Sequence, residues 1–376
     1  MNTTKNGSTK PMLINIVCIA VILIGAWAWF RGYAGRPGSA HLDQYTVWGL
    51  YITLFLFLEA TGVGAMFIAA VSKDLKYRLQ LALAGVVSLA AASLAIMADL
   101  GGIGNSWRMF LTPNLSSPIF LDVLFLSLAL LCGLFFIVTL SKGKQPKISA
   151  AATALMSVLL PFGTAILFIT LPGRMGWSSS LEVAVFLAQA ALAGLCCFII
   201  LGYRKFDDFG KLSKWLMSFL IINLALIVGE ITLSLYDSGI ESLPLRTLMT
   251  GEYAILFWLW IIGGLVCPIV MTFYKKSTAM AAGLGLGGIL LAKFLFVIKG
   301  NMYPFLRAGQ GLKIDILNSG LAGHQKVAAY IPTFEECLVA FAVVAFMILA
   351  YNLLSQVFAK TTAMPQNLET EKEISG

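Results

Sequence analysis

The residue in this sequence that most needs a chemical explanation is Glu59, the only charged residue between positions 46 and 71. At about 1.5 Å of rise per residue, a helix that begins at Thr46 places Glu59 about 20 Å from its start, near the middle of an apolar layer about 30 Å thick. A carboxylate at that depth costs on the order of 2.5 kcal/mol or more, so it is expected to face a partner or a cavity. A functional role is therefore the first hypothesis for Glu59.

The residues that share a helical face with Glu59 are mostly large or aromatic. At intervals of three or four positions, the face consists of Trp48, Tyr51, Phe55, Glu59, Gly62 and Met66. By residue type alone, such a stripe is more often a packing surface than a binding slot. The carboxylate within it makes a site for a flat redox molecule the competing interpretation.

The composition explains why this stretch can lie in a membrane. Hydrophobic residues make up 59% of the 376 residues and charged residues 12%, and the mean hydropathy is +0.87, values outside the range of soluble domains. The pattern predicts an all-α integral membrane protein with ten transmembrane helices. The predicted spans are 12–30, 46–71, 79–98, 118–140, 148–171, 182–201, 213–236, 252–274, 278–298 and 334–358.

The basic residues predict the orientation of these spans. Most of the 26 lysines and arginines lie in alternate, short connections, which places both termini on the cytoplasmic side of a cytoplasmic membrane. The net charge of +8 follows from this bias and does not indicate nucleic acid. The opposite loops are longer and rich in Gly, Pro, Ser and aromatic residues, so an extracytoplasmic partner is expected to dock there. Carboxylates at the outer ends of spans, such as Glu182, Glu335 and Glu336, are typical of solvated groups or of helix N-termini.

The histidines and cysteines argue against a metal centre within this chain. The two histidines, His41 and His324, fall in predicted loops, so a pair of axial ligands for a membrane-buried haem is not available. The six cysteines lie within or beside apolar runs and form no CxxC motif, so iron–sulfur ligation and disulfides are not indicated. Any redox metal is expected in another subunit.

Several segments together resemble the NrfD-like family, the quinol-interacting membrane subunits of polysulfide reductase and related respiratory complexes. They are WGLYITLFLFLEATGVGAMF, ADLGG followed by WRMFLTPNLSSPIFLD, GRMGWSSSLEV, GEYAILFWLWIIGGLVCP and AAYIPTFEE. The resemblance covers about 45–358, and its ten spans are similar to the larger branch of that family. It implies an extracytoplasmic iron–sulfur subunit and a further catalytic subunit of the molybdopterin or multihaem type.

The same resemblance implies an arrangement of segments. An N-terminal segment with the first span (1–45) precedes a four-helix bundle with the quinone site near the outer surface (46–171). A second four-helix bundle (182–298), a long extracytoplasmic loop (299–333) and a last span with a cytoplasmic tail (334–376) follow. The quinone type, menaquinone or ubiquinone, stays open.

The chemistry of quinol oxidation selects the candidate site residues. Removing two electrons and two protons requires an apolar slot, hydrogen-bond partners for the ring oxygens and carboxylates that take protons. The candidate catalytic residues are Glu59, Asp99 and Asp122, and the candidate quinone-binding residues are Tyr51, Phe55, Trp107, Arg108 and His41. Arg108 could instead pair with Asp99 or Asp122, and His41 could instead be a loop residue without a role.

Two other classes of function stay open at this point. In a secondary transporter, Glu59, Glu230 and Lys293 would form an ion or proton path across the membrane. In a purely structural anchor of an electron-transfer enzyme, all the carboxylates would serve packing. A copurifying iron–sulfur subunit would separate the first hypothesis from the transporter.

Overall fold

The computed structural model describes residues 9–33, 46–72, 75–100, 104, 106–143, 146–171, 173–202, 209–236, 239–274, 277–304 and 329–374. Within these ranges the chain is helical apart from short connections and one isolated bridge between Arg174 and Pro304. The helices are α1 (Thr9–Tyr33), α2 (Leu50–Val71), α3 (Leu75–Asp99), α4 (Arg108–Leu111), α5 (Pro118–Ser141), α6 (Lys147–Ile169), α7 (Glu182–Gly202), α8 (Phe209–Tyr236), α9 (Leu243–Thr250), α10 (Ala254–Leu259), α11 (Cys267–Phe273), α12 (Thr278–Asn301) and α13 (Phe334–Ile374).

In the part of the chain that the structure describes, ten helical segments are long and apolar enough to cross a membrane. The eighth consists of α10, a π-helical stretch at Trp260–Val266 and α11, which run on without a break. The prediction of an all-α integral membrane protein with ten spans is confirmed. Below, the end of the protein at which α2 begins and α3 ends is called the predicted outer end.

The start of α2 differs from the prediction by about one turn. Residues 46–49 are not helical, because side chains from distant parts of the chain bind their backbone. The amide of Leu50 donates to the Tyr330 hydroxyl over 2.8 Å, and Asn301 Nδ2 donates to the carbonyl of Trp48 over 2.6 Å. Glu59 is therefore about 13 Å along the helix from its start, closer to the predicted outer end than the sequence suggested.

Helix α2 lies at the centre of the protein and is buried along most of its length. It packs against α3, α6, α7 and α12, as expected for a helix that is apolar on every side. Two close backbone contacts set its position. Gly62 meets Gly85 of α3, and Gly64 meets Gly194 of α7, the small-residue contacts that let membrane helices approach closely.

The remaining spans surround this centre. Helices α3, α5 and α6 pack around one side of α2, whereas α7, α8, α11 and α12 pack together on the other, and α1 and α13 form a peripheral pair beside α3. Because α2 and α7 also pack tightly on each other, the division into two four-helix bundles stays a prediction.

The Gly64 contact predicts a destabilising substitution. A Cβ atom at Gly64 would overlap the carbonyl oxygen of Ala190 and lie 2.7 Å from the amide nitrogen of Gly194. We expect Gly64→Ala to lower stability by about 1–3 kcal/mol through overpacking. Gly283→Ala is the matched control, because a Cβ there meets nothing within 4 Å. Thermal unfolding in detergent measures both, and equal melting temperatures would contradict this account of the α2–α7 contact.

Candidate functional site

Glu59 faces a second carboxylate across a single hydroxyl group. Thr164 Oγ1 lies 2.9 Å from Glu59 Oε1 and 2.5 Å from Asp122 Oδ1. The three side chains come from α2, α6 and α5, and all three residues are at most 3% exposed. We call them the Glu59–Thr164–Asp122 cluster.

Contacts with neighbouring residues in the sequence position two members of this cluster. Ser117 caps the N-terminus of α5, its hydroxyl accepting a hydrogen bond from the Phe120 amide over 3.4 Å, and Pro118 occupies the first helical turn. Asp122 is thereby held one turn inside α5. On α6, the Thr164 hydroxyl also lies 3.0 Å from the carbonyl of Leu160, which keeps it close to its own helix.

The hydrogen bonds of the cluster require at least one bound proton. The hydroxyl of Thr164 carries one hydrogen, so it can donate to only one of Glu59, Asp122 and the Leu160 carbonyl, and it must accept from any carboxyl group to which it does not donate. If both carboxyl groups were ionised, one of them would face a hydroxyl oxygen with no hydrogen between them. Sharing the hydroxyl therefore requires that Glu59, Asp122 or both be protonated, and a proton can pass between them through Thr164.

One oxygen of the cluster remains open to a further partner. Glu59 Oε2 is buried and has no hydrogen-bond partner among the described residues. Lys293 of α12 carries the opposite charge and interacts electrostatically with Glu59. The cluster is thus linked to the helices on the other side of α2.

A second polar group lies at the start of α2 and involves Tyr51. Tyr51 packs against Ala28 of α1 and Val339 of α13, and it lies within electrostatic range of Asp99 and Glu336. Asp99 Oδ1 is buried without a hydrogen-bond partner among the described residues. Glu59 lies eight positions after Tyr51, so the two groups are about 12 Å apart along α2.

Tyr330 and Glu336 complete this group and hold the chain in place. The Tyr330 hydroxyl donates to Glu336 Oε1 over 2.9 Å, and the amide of Thr333 donates to Glu336 Oε2 over 2.7 Å. In return, the Thr333 hydroxyl accepts from the Glu336 amide over 3.1 Å, which makes a capping box at the start of α13. Burial, with the Glu336 charge, raises the pKa of Tyr330 above its usual range, so Tyr330 stays a hydrogen-bond donor.

The other candidate residues are more scattered. Phe55 is buried in the main hydrophobic core. Trp107 is 56% exposed, and the Arg108 guanidinium lies 5.7 Å from its ring centroid. Within the described part of the chain, Arg108 forms no ion pair with Asp99 or Asp122. His41 lies outside the described residues.

Trp48, which also belongs to the predicted stripe, packs into an aromatic cluster rather than beside Glu59. Its ring centroid lies 5.1 Å from that of Phe168 and 5.2 Å from that of Trp177. The predicted face of α2 is therefore divided among several neighbouring helices, and the carboxylate faces α5 and α6.

Sequence reasoning missed two features of the site. Nothing in the sequence marked Thr164 as a site residue, because threonines that hydrogen-bond to the backbone of their own helix are common in membrane spans. Glu182 and Glu336 were expected to be solvated or at a helix N-terminus, but they are 2% and 0% exposed, since each has a specific partner. For Glu182 that partner is Lys299, whose Nζ lies 2.7 Å away.

The chain matches the protein family described as "Polysulphide reductase, NrfD" over residues 38–304. It is similar to a selenate reductase subunit of Mesobacillus selenatarsenatis, with 22% identity over 92% of this chain and 93% of that protein. It is also similar to the Hdr-like menaquinol oxidoreductase integral membrane subunit of Archaeoglobus fulgidus, with 24% identity over 94% and 95% of the two chains. The family match includes the Glu59–Thr164–Asp122 cluster and ends before Tyr330 and Glu336.

The shared hydroxyl predicts a stability difference between two substitutions of Thr164. Thr164→Val keeps the shape but leaves two buried carboxyl groups without their common partner, which costs about 1–3 kcal/mol. Thr164→Ser retains the hydroxyl and should lose much less. Thermal unfolding of the purified protein measures the difference, and a valine variant as stable as the serine variant would contradict the proposed hydrogen bonding.

Proposed function

This chain belongs to the polysulphide reductase NrfD family, and from that premise we propose that it is the quinol-reactive membrane subunit of a respiratory electron-transfer complex. The names of its relatives support this proposal, since both describe components of reductases or oxidoreductases and one names menaquinol. The quinol would be oxidised, or the quinone reduced, at the predicted outer end of α2, α3, α5 and α6.

The observation that carries the proposal is the Glu59–Thr164–Asp122 cluster. Quinol supplies two electrons and two protons when it is oxidised to quinone, so acceptors for both are required. Because the shared hydroxyl already requires one bound proton, the cluster can take up one further proton at a time, and Thr164 can pass a proton from one carboxyl group to the other. Because the cluster is buried, water does not compete for those protons.

The group at Tyr51 supplies a second set of contacts. The buried, unpartnered Asp99 Oδ1 and the Tyr51 hydroxyl are suited to hydrogen-bond a ring oxygen. We assign Phe55 and Trp107 to ring contacts and Arg108 to the entrance. His41 is retained as a ligand or a proton exit, on the sequence argument alone.

The electrons must leave through another subunit. The spans lack histidine, and no cysteines are spaced as CxxC, so we assign the electron acceptor to an iron–sulfur subunit on the extracytoplasmic face. A molybdopterin or multihaem subunit would lie beyond it. This arrangement places the chain in the cytoplasmic membrane with both termini inside, as the loop charges predict.

A secondary transporter is the competing function, and one observation favours it. Lys293 is 1% exposed within a membrane span, and buried ionisable residues often mark ion paths. Solute uptake by vesicles that contain only this chain, together with failure to bind quinone, would select the transporter.

Replacing either carboxylate tests the proposed chemistry. Glu59→Gln and Asp122→Asn keep the shape and hydrogen bonding of the side chains but cannot accept a proton. We expect quinol oxidation by the purified complex to fall on the order of 100-fold, with subunit assembly intact. Glu252→Gln is the control, because Glu252 is an exposed glutamate at the same end of the protein. Normal turnover in both cluster variants would contradict the proposal.

A further inference from the structure

A second buried cluster of charges lies on the other side of α2. Lys299 Nζ lies 2.7 Å from Glu182 Oε1 and 2.6 Å from Glu230 Oε1, so one ammonium bridges two carboxylates from α7 and α8. Glu182 and Lys299 are almost fully buried, and Glu230 is partly accessible. Two acids on either side of one base can pass protons along, provided that a proton donor lies at one end of the cluster and a proton acceptor at the other.

One end of this Glu182–Lys299–Glu230 cluster opens into a large cavity at the predicted outer end. The cavity has a volume of about 360 Å³ and is lined by Glu230, Lys299, Glu241 and several serines. With that volume and so polar a lining, it can hold water. Glu230 therefore connects the buried cluster to a space that can exchange protons with the exterior.

A smaller cavity lies deeper, on the inner side of the same cluster. Its volume is about 30 Å³, enough for one or two water molecules, and Glu182, Gln189, Glu230 and Lys299 line it. Gln189 is 6% exposed, and its Oε1 has no hydrogen-bond partner among the described residues. An unpartnered acceptor beside a cavity that Glu182, Glu230 and Lys299 also line is suited to bind a water molecule.

Lys293 lies between this cluster and Glu59. Its Nζ is 3.3 Å from the ring centroid of Phe186, which also lines the small cavity. Lys293 interacts electrostatically with both Glu59 and Glu182. In the part of the chain described here, no hydrogen bond or ion pair fixes its ammonium. A contact with an aromatic face is weaker and less directional than an ion pair, so the ammonium is not committed to either carboxylate.

We propose that Lys293 and the Glu182–Lys299–Glu230 cluster form the route by which protons pass between Glu59 and the outer cavity. The inference rests on the proposed function, because the quinol supplies those protons. Glu59 and Asp122 are too buried to release protons directly. The Lys293 ammonium gives a proton to Glu182, the neutral amine then takes a proton from Glu59, and the water of the small cavity and Glu230 deliver the released proton outward. Each step moves one proton and no electrons.

Two substitutions of Lys293 separate proton transfer from a structural role. Lys293→Met removes the charge, whereas Lys293→Arg keeps it but cannot release a proton. In the purified complex with a short-chain quinol, we expect both to slow turnover on the order of 10-fold or more, with little change in KM. Proton release, followed with a pH-sensitive dye, should slow in parallel. Lys211→Met, at an exposed lysine of α8, is the control.

The outcomes distinguish the route from the function on which it rests. If Glu59→Gln slows turnover and Lys293→Met does not, the route is wrong and the proposed function stands. If Lys293→Arg restores the normal rate, the charge is structural and the route is wrong. Normal turnover in both Glu59→Gln and Asp122→Asn would remove the proposed function itself. Should the Lys293 variants fail to assemble, Glu230→Gln decides, because an unchanged rate in that variant overturns the route.

Discussion

The structure depends on one hydroxyl group that two buried carboxyl groups must share. Thr164 can donate only one hydrogen, so Glu59 and Asp122 cannot both be ionised and both be satisfied. The free energy of burying two acids in a membrane span is kept low by the proton that they hold between them. The same arrangement makes that proton available for transfer, so stability and proposed function rest on a single contact.

The helix contacts bring these groups together. Glycines at 62 and 64 let α2 approach α3 and α7 closely, which puts Glu59 near α5 and α6 on one side and near Lys293 on the other. The clamp of Leu50 by Tyr330 sets where α2 begins. A shift of α2 by one turn would separate Glu59 from both Thr164 and Lys293.

The spans could be predicted from the sequence, but the site could be predicted only in part. Apolar length locates membrane helices well, because the bilayer imposes it, and Glu59 and Asp122 stood out as acids in or beside apolar runs. Thr164, Gln189 and the burial of Glu182 could not be predicted, since they depend on which helices meet. Trp107 and Arg108, which the sequence suggested as contacts at the quinone site, are exposed, and their role there stays a prediction.

A proton held by the Glu59–Thr164–Asp122 cluster is best detected by infrared difference spectroscopy of the purified protein at neutral pH. We expect a carboxylic acid C=O band in the native protein that shifts in deuterated water. That band should disappear in the Glu59→Gln and Asp122→Asn variants alike, because the remaining carboxylate can then accept from Thr164. Spectra of the native protein and both variants with the same carboxylic acid bands would contradict it.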